Sequence, residues 1–131
     1  MNQKLIEEIS LKHKIFIQRK REVLPVEIMD GKIGLHGSLR AFEMGAEIPD
    51  VYLSKIENYL DGYMNYKTIS AYEVYRAWRH EKSVKVSKIA KRMKMNEMTI
   101  YSKLQAGNLS KDEKEKLRKM SGGVIKVGMW D

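Results

Sequence analysis

The chain has 131 residues and a formal net charge of +8, and 43% of its residues are apolar. That apolar fraction is enough for a hydrophobic core, so a wholly disordered chain is not expected. The absence of cysteine excludes disulfides and thiolate metal sites. No apolar run approaches the roughly 18 residues that span a bilayer, and two glutamates interrupt the apolar N-terminus, unlike in a signal peptide. We therefore expect a cytoplasmic protein with no membrane partner.

The positive charge is concentrated in one part of the sequence. Residues 76–105 contain nine Lys or Arg and two acids, which gives +7, whereas residues 37–66 contain two Lys or Arg and five acids, which gives −3. A dense cationic surface favours polyanions, because its contacts with phosphates release counterions. The alternative is a solvated basic surface that binds nothing.

The first third of the sequence predicts a short helix followed by a small antiparallel sheet. Residues 2–12 have the spacing of an amphipathic helix, and the β-branched and aromatic residues 14–18 are typical of a strand. Asp30-Gly31 supplies the two positive-φ residues of a type I′ turn, which predicts a hairpin over residues 26–33.

The rest of the sequence is predicted to be mostly helical, with a strand at its end. Residues 38–59 return to helical spacing, and the capping boxes Ser70–Glu73 and Ser110–Glu113 each mark the start of a helix. Residues 124–130 have strand character and would pair with the N-terminal hairpin. The predicted fold is therefore α+β, with a small antiparallel sheet formed by residues 14–35 and 124–130.

The basic residues 84–106 have the pattern of a helix-turn-helix. Ten residues separate Ala90 from Ile100, which is the separation at which the two helices of this motif pack together. A glycine often occupies the turn position held here by Lys94, so this lysine must adopt a positive φ or the turn must differ. The residues expected to face the core are Ile89, Ala90, Met93, Met95, Ile100 and Leu104.

The second helix of this motif would carry the side chains that meet DNA. Asn96 is placed to cap it, and hydroxyl groups on its outer face can reach base edges or phosphates. Its outward positions are Glu97, Met98, Thr99, Tyr101, Ser102 and Lys103. The cations expected to hold the phosphate backbone are Lys88, Lys91, Arg92 and Lys94. The alternative is a helical hairpin that only packs against the rest of the protein.

A shift of 47 residues superimposes apolar residues of the segment 40–57 on those of the basic motif, which suggests an internal repeat. In this segment, Tyr52-Leu-Ser-Lys-Ile-Glu57 is similar to the recognition helix of the Xre (repressor-like) helix-turn-helix family, and Ile48-Pro-Asp50 is similar to the residues before that helix. The resemblance implies a second helix-turn-helix. Its groove-facing residues would be Asp50, Val51, Tyr52 and Lys55.

Two residues depart from the Xre pattern, since Glu43 replaces a small alanine and Glu47 replaces a glycine. The acidic balance of this unit would also repel phosphates. The unit therefore either binds DNA or is a degenerate motif used for packing or for a protein partner.

The predicted hairpin also has two possible roles. It is either a wing on the DNA backbone, with Lys32 at its tip and residues 19–21 in support, or only the sheet on which helices pack.

Patterns typical of enzymes are missing from the sequence. The histidines His13, His36 and His80 lie far apart and lack the spacing of metal ligands. No nucleophile motif and no phosphate-binding loop occurs. We therefore expect no enzymatic activity, no cofactor, no metal and no small-molecule substrate.

Two units are predicted, residues 1–66 with the acidic motif and residues 67–131 with the basic motif, together forming one compact domain. A central sheet with two helix-turn-helix units resembles the small TraN-type double-stranded-DNA-binding proteins of Gram-positive conjugative plasmids. This resemblance implies a monomer with an internal pseudo-two-fold axis, or a homodimer, that acts as a transcriptional regulator or an accessory factor of conjugative transfer. The competing hypothesis is a protein-interaction module that inhibits a host protein, which the acidic unit favours.

Overall fold

The computed structural model describes all residues 1–131 and contains nine α-helices and two short 3-10 helices, without a β-strand. The predicted α+β fold is therefore wrong, and the protein is all-helical. The helices are α1 (Gln3–Glu7), α2 (Leu11–Arg21), α3 (Val26–Ile33), α4 (Leu39–Glu43), α5 (Asp50–Tyr63), α6 (Ala71–Lys82), α7 (Val86–Met93), α8 (Glu97–Ala106) and α9 (Lys111–Met120). The 3-10 helices are Tyr66–Thr68 and Val127–Trp130. None of the helices combines the length and the apolar character needed to cross a membrane.

Residues 14–18, predicted to be a strand, form the middle of α2. Ile15, Phe16 and Ile17 are all buried although they follow one another, because α2 packs against α4, α5 and α6. A helix enclosed on several sides has apolar residues in succession, and a short run of this kind looks like a buried strand in sequence. The basic residues 19–21, expected in a turn, are the last turn of α2.

The predicted hairpin is helix α3, and Gly31 lies in its interior. Asp30, expected in a tight turn, uses its carboxylate to accept hydrogen bonds from the backbone N–H groups of Gly37 and Leu39, both at 2.9 Å. Leu39 is the first residue of α4, and N–H groups at the start of a helix have no partner within it. The aspartate therefore stabilises the connection from α3 to α4.

The other parts of the predicted sheet are also helical. Residues 124–130 contain the 3-10 helix Val127–Trp130, and Met129 within it is buried. Lys32, expected at the tip of a wing, lies on α3 and forms an ion pair with Glu22 at 2.9 Å. The protein therefore has no wing. It also lacks the central sheet on which the resemblance to TraN-type proteins was based.

Helix α6 is a common wall between two hydrophobic clusters. Val74 and Ala77 belong to the larger cluster, which is built with α1 to α5. Tyr75 and Trp78 belong to the smaller cluster, which is built with α7, α8 and α9. Because adjoining faces of α6 are buried in different clusters, this helix fixes how the basic half of the chain sits on the first half.

The shift of 47 residues found in the sequence also separates the starts of two pairs of helices. Helix α7 begins 47 residues after α4, and α8 begins 47 residues after α5. The turns differ, since the positive φ falls on Gly45 in the first unit and on Lys94 in the second. Leu53 is only half-buried, whereas Ile100 is fully buried at the equivalent position. The two units therefore share the order of their helices but pack their second helices differently.

Glu43, which departs from the Xre pattern, is the partner of a buried arginine. The Nε and Nη2 groups of Arg19 donate to the two carboxylate oxygens of Glu43 at 2.8 and 2.7 Å, and Nη1 donates to the Leu24 carbonyl at 3.1 Å. The Nε2 atom of His80 lies 3.2 Å from the same carboxylate. An alanine at position 43 would leave Arg19 charged and buried without a carboxylate.

Substituting Gly31 by alanine is expected to raise the free energy of unfolding by about 0.5–1 kcal/mol. Gly31 is helical, and no atom lies within 4 Å of the position that a Cβ would take. Gly37 is the matched control, since its Cβ position is equally open but its φ is +86°. Gly37→Ala should therefore lower stability in the same urea titration. A loss of stability in Gly31→Ala would indicate the positive φ of a hairpin turn.

Removing one member of the Arg19–Glu43 ion pair is expected to cost about 3–5 kcal/mol, because the other charge stays buried. Arg19→Met should be less stable than the double variant Arg19→Met/Glu43→Leu, which leaves no unpaired charge. The control is Arg118→Met, which breaks an ion pair whose two side chains are each 43% exposed and should cost far less, because solvent screens an exposed pair. If urea unfolding showed that Arg19→Met and Arg118→Met lower the free energy of unfolding equally, the Arg19–Glu43 pair would not have the importance of a buried ion pair.

Candidate nucleic-acid interface

Helices α7 and α8 form a helix-turn-helix at the predicted place. Lys94 adopts the left-handed conformation, with φ 56° and ψ 44°, and the N–H of Met95 donates to the Ala90 carbonyl at 3.0 Å. Asn96 caps α8, since its side-chain oxygen accepts the N–H of Thr99 at 2.8 Å. The residues predicted to face the core are buried or, for Met95, partly buried: Ile89, Ala90, Met93, Met95, Ile100 and Leu104.

The outer face of α8 is open to solvent. Thr99 and Ser102 are exposed, and Met98 and Tyr101 are 72% and 46% exposed. The Tyr101 ring meets the edge of Tyr72, with 5.9 Å between the ring centroids. A helix with its side chains is about 10–12 Å across, and the major groove of B-DNA is about 12 Å wide. This face is therefore narrow enough to enter the groove, with its hydroxyl groups toward the base edges.

The cations on and beside α7 form no ion pairs within the protein. These exposed residues are Lys85, Lys88, Lys91, Arg92 and Lys94. Lys103, which was expected to reach DNA, differs, because its ammonium lies 3.1 Å from the Glu113 carboxylate of α9. The α7 cations are therefore available to an external anion, whereas the charge of Lys103 is partly neutralised.

The acidic unit holds half of its predicted groove-facing residues in internal contacts. The ammonium of Lys55 donates to the Gly34 carbonyl at 3.1 Å and lies over the ring of Tyr52, 5.6 Å from its centroid. Asp50 and Val51, at the start of α5, are exposed. Two of the four positions are thus used for packing, which favours a packing or protein-binding role for this unit.

No sequence pattern indicated that His13 would join α2 to α6. Nδ1 of His13 lies 2.9 Å from the Ser10 hydroxyl, and Nε2 lies 2.8 Å from the Glu81 carboxylate, 68 residues away in sequence. Burial lowers the pKa of His13, although the Glu81 carboxylate opposes this shift. The imidazole is therefore neutral at pH 7. Its Nε2–H donates to Glu81, and Nδ1 accepts the hydroxyl proton of Ser10.

Ser10, His13 and Glu81 have the order of a nucleophile, a base and an orienting acid, but the two glycine N–H groups of their pocket are not free to form an oxyanion hole. This pocket, of about 340 Å³, is also lined by Gly122 and Gly123. Acyl transfer needs N–H groups that are free to stabilise an oxyanion. Both glycine N–H groups instead donate to carbonyls of α9. No group of three or more His, Asp or Glu side chains is arranged to hold a metal ion.

Three cations that the sequence reasoning did not assign to the interface lie beside it, namely Arg76 and Arg79 on α6 and Lys85 before α7. All three fall within the basic segment of residues 76–105. The charge density of that segment was the signal that could have identified them, because helical spacing alone does not distinguish a solvated cation from a binding one.

Acidification from pH 7 to pH 5 is expected to lower the free energy of unfolding. Burial holds the pKa of His13 below 6.5, so the unfolded chain binds a proton that the native state does not. Stability is therefore lost as the pH falls below about 6.5. His13→Gln should flatten this dependence, and His80, whose pKa is also lowered by burial, contributes to the slope that remains. Urea titrations at closely spaced pH values, with His36→Gln as control, measure the slope. An unchanged slope in His13→Gln would disprove the assignment.

Comparisons of the chain with protein-family models, with curated proteins and with solved structures give no match.

Proposed function

We propose that the protein binds double-stranded DNA through α7 and α8. The observation that carries this proposal is the exposed hydroxyl face of α8 beside five cations without a carboxylate partner. Cations at this density repel one another, and a row of phosphates would relieve that repulsion while releasing counterions.

In the proposed complex, α8 lies in the major groove and α7 lies against the backbone. Thr99 and Ser102 face base edges and set the sequence preference, with Tyr101 beside them. The cap from Asn96 fixes the first turn of α8 and with it the position of Thr99. Phosphate contacts from the α7 cations supply most of the affinity. The cations in this role are Lys88, Lys91, Arg92 and Lys94.

The biological role that we propose is transcriptional regulation, or an accessory function in the transfer of a plasmid or phage. Regulation is supported by the similarity of residues 48–57 to the Xre family, whereas the transfer role comes only from the resemblance to TraN-type proteins, whose central sheet this protein lacks. The DNA-binding proposal does not depend on this role, since it rests on α7 and α8.

Protein binding through the acidic unit is the second candidate function. Helix α5 exposes Val51 and Tyr63, at 60% and 65%, near the exposed acids Asp50, Glu57 and Asp61. Val51 and Tyr63 lie at opposite ends of α5, and exposed apolar side chains near carboxylates fit a partner protein whose surface carries basic and apolar groups. A pull-down with and without nuclease separates direct capture of a protein from capture through DNA.

Lys88→Gln/Lys91→Gln is expected to weaken binding to every duplex, because it removes two phosphate contacts. The slope of log K against log salt concentration should fall by about 0.9 per lost contact. Thr99→Ala or Ser102→Ala should instead change which duplex is preferred, because a base contact is lost. Fluorescence anisotropy over a salt series, with a selected and a scrambled duplex, measures both effects.

The matched control is Lys4→Gln/Lys67→Gln. It removes the same charge from exposed lysines on α1 and on the first 3-10 helix that form no ion pair, and it should leave the salt slope unchanged. The proposal fails if the wild-type protein binds no duplex at low ionic strength, or if the control and the Lys88→Gln/Lys91→Gln variant lose affinity equally.

A further inference from the structure

A cationic groove of about 450 Å³ borders the start of α7 on the side of α2. Its charged walls are Lys20 from the last turn of α2, Arg76 and Arg79 from α6, and Lys85 immediately before α7. The ring of Phe16 forms part of its apolar lining. Both halves of the chain therefore supply cations to one depression in the surface.

None of the four cations forms an ion pair, although the residues on either side of Lys20 do. Arg19 pairs with Glu43 at 2.7 Å, and Arg21 pairs with Glu73 at 2.6 Å. Of three consecutive basic residues, only Lys20 is exposed and without a carboxylate partner. The fold thus uses the outer two charges for its own stability and leaves the middle one for solvent or a ligand.

The positive charge of the groove is not neutralised by a free carboxylate within the protein. Burial of its ammonium lowers the pKa of Lys20, the nearby charges of Arg19 and Arg76 lower it further, and Glu43 opposes them. Glu43 is already bound by Arg19. An anion in the groove would favour the charged form of Lys20 by removing this repulsion.

Tyrosine rings hold the two arginines in place before any ligand binds. The guanidinium carbons of Arg76 and Arg79 lie 5.9 and 5.6 Å from the ring centroids of Tyr72 and Tyr75. The Nε–H of Arg79 also donates to the Val84 carbonyl at 3.1 Å, and its Nη groups make no hydrogen bond within the protein. Preorganised guanidinium groups lose less entropy on binding, and their fork matches the geometry of phosphate oxygens.

We propose that this groove binds backbone phosphates of the same duplex that α8 enters, so that α2 extends the contact beyond the helix-turn-helix. The inference rests on the proposed function, because Lys85 makes the groove continuous with the unpaired cations of α7. A duplex is favoured over a free phosphate ion as the occupant, since a single ion could not reach the α7 cations and the groove together.

The test is the double variant Lys20→Gln/Arg76→Gln, measured by fluorescence anisotropy over a salt series. Both residues are exposed and unpaired, so the variant should fold, and thermal unfolding followed by circular dichroism checks this. The expected result is weaker binding to selected and scrambled duplexes alike, by roughly tenfold per lost contact at 0.1 M salt, with the salt slope reduced by about 0.9 for each. Lys4→Gln/Lys67→Gln, with the same change in net charge, should keep the wild-type slope.

The outcomes separate the groove from the DNA-binding proposal. If the wild-type protein binds DNA and the groove variant binds with the same affinity and slope, the groove inference is overturned while the proposed function stands. If inorganic phosphate shifts the Lys20 side-chain NMR signal while the variant keeps wild-type DNA binding, the groove is a small-anion site and the inference is likewise overturned. If no duplex binds to the wild-type protein, the proposed function fails and the inference fails with it.

Discussion

The burial of α2 is the constraint on which the rest of the structure depends. Most of this helix is enclosed by other helices, so its polar side chains must find partners inside the protein. His13 meets Glu81, and Arg21 meets Glu73. The two residues on α2 are eight apart, as are their partners on α6, but in reverse order. The two helices therefore run antiparallel and are fixed to each other near both ends.

This pairing determines where the basic surface lies. Helix α6 packs against α2 on one face and against the cluster of α7, α8 and α9 on the adjoining face. The contacts of Arg19 and Arg21 with Glu43 and Glu73 also fix the last turn of α2, and with it the position of Lys20 beside α6. Buried ion pairs contribute little net stability, but they penalise any register that leaves a charge unpaired. The polar pairs of α2 thus place Lys20 on the same surface as the cations of α6 and α7.

The features that could be predicted from sequence are the ones set by local periodicity and caps. Helices α7 and α8 were predicted because their apolar residues lie on one face, and the caps at Asn96, Ser70 and Ser110 follow from short-range patterns. Helix α2 was predicted as a strand because burial on several sides removes the helical period. Helix α3 was predicted as a hairpin because Asp-Gly is a frequent turn dipeptide, although Gly31 is helical here. The partners of Lys103 and His13 could not be predicted, because each lies on another helix and no local pattern specifies a contact between helices.

Two-dimensional ¹H–¹⁵N NMR of the labelled protein, titrated with duplex DNA at low ionic strength, tests the central claim most directly. Binding through α7 and α8 predicts that amide shifts concentrate in residues 85–103, with a second group at the end of α2, while α5 stays unchanged. Shifts confined to α5, or a spectrum that does not respond to DNA, would contradict it.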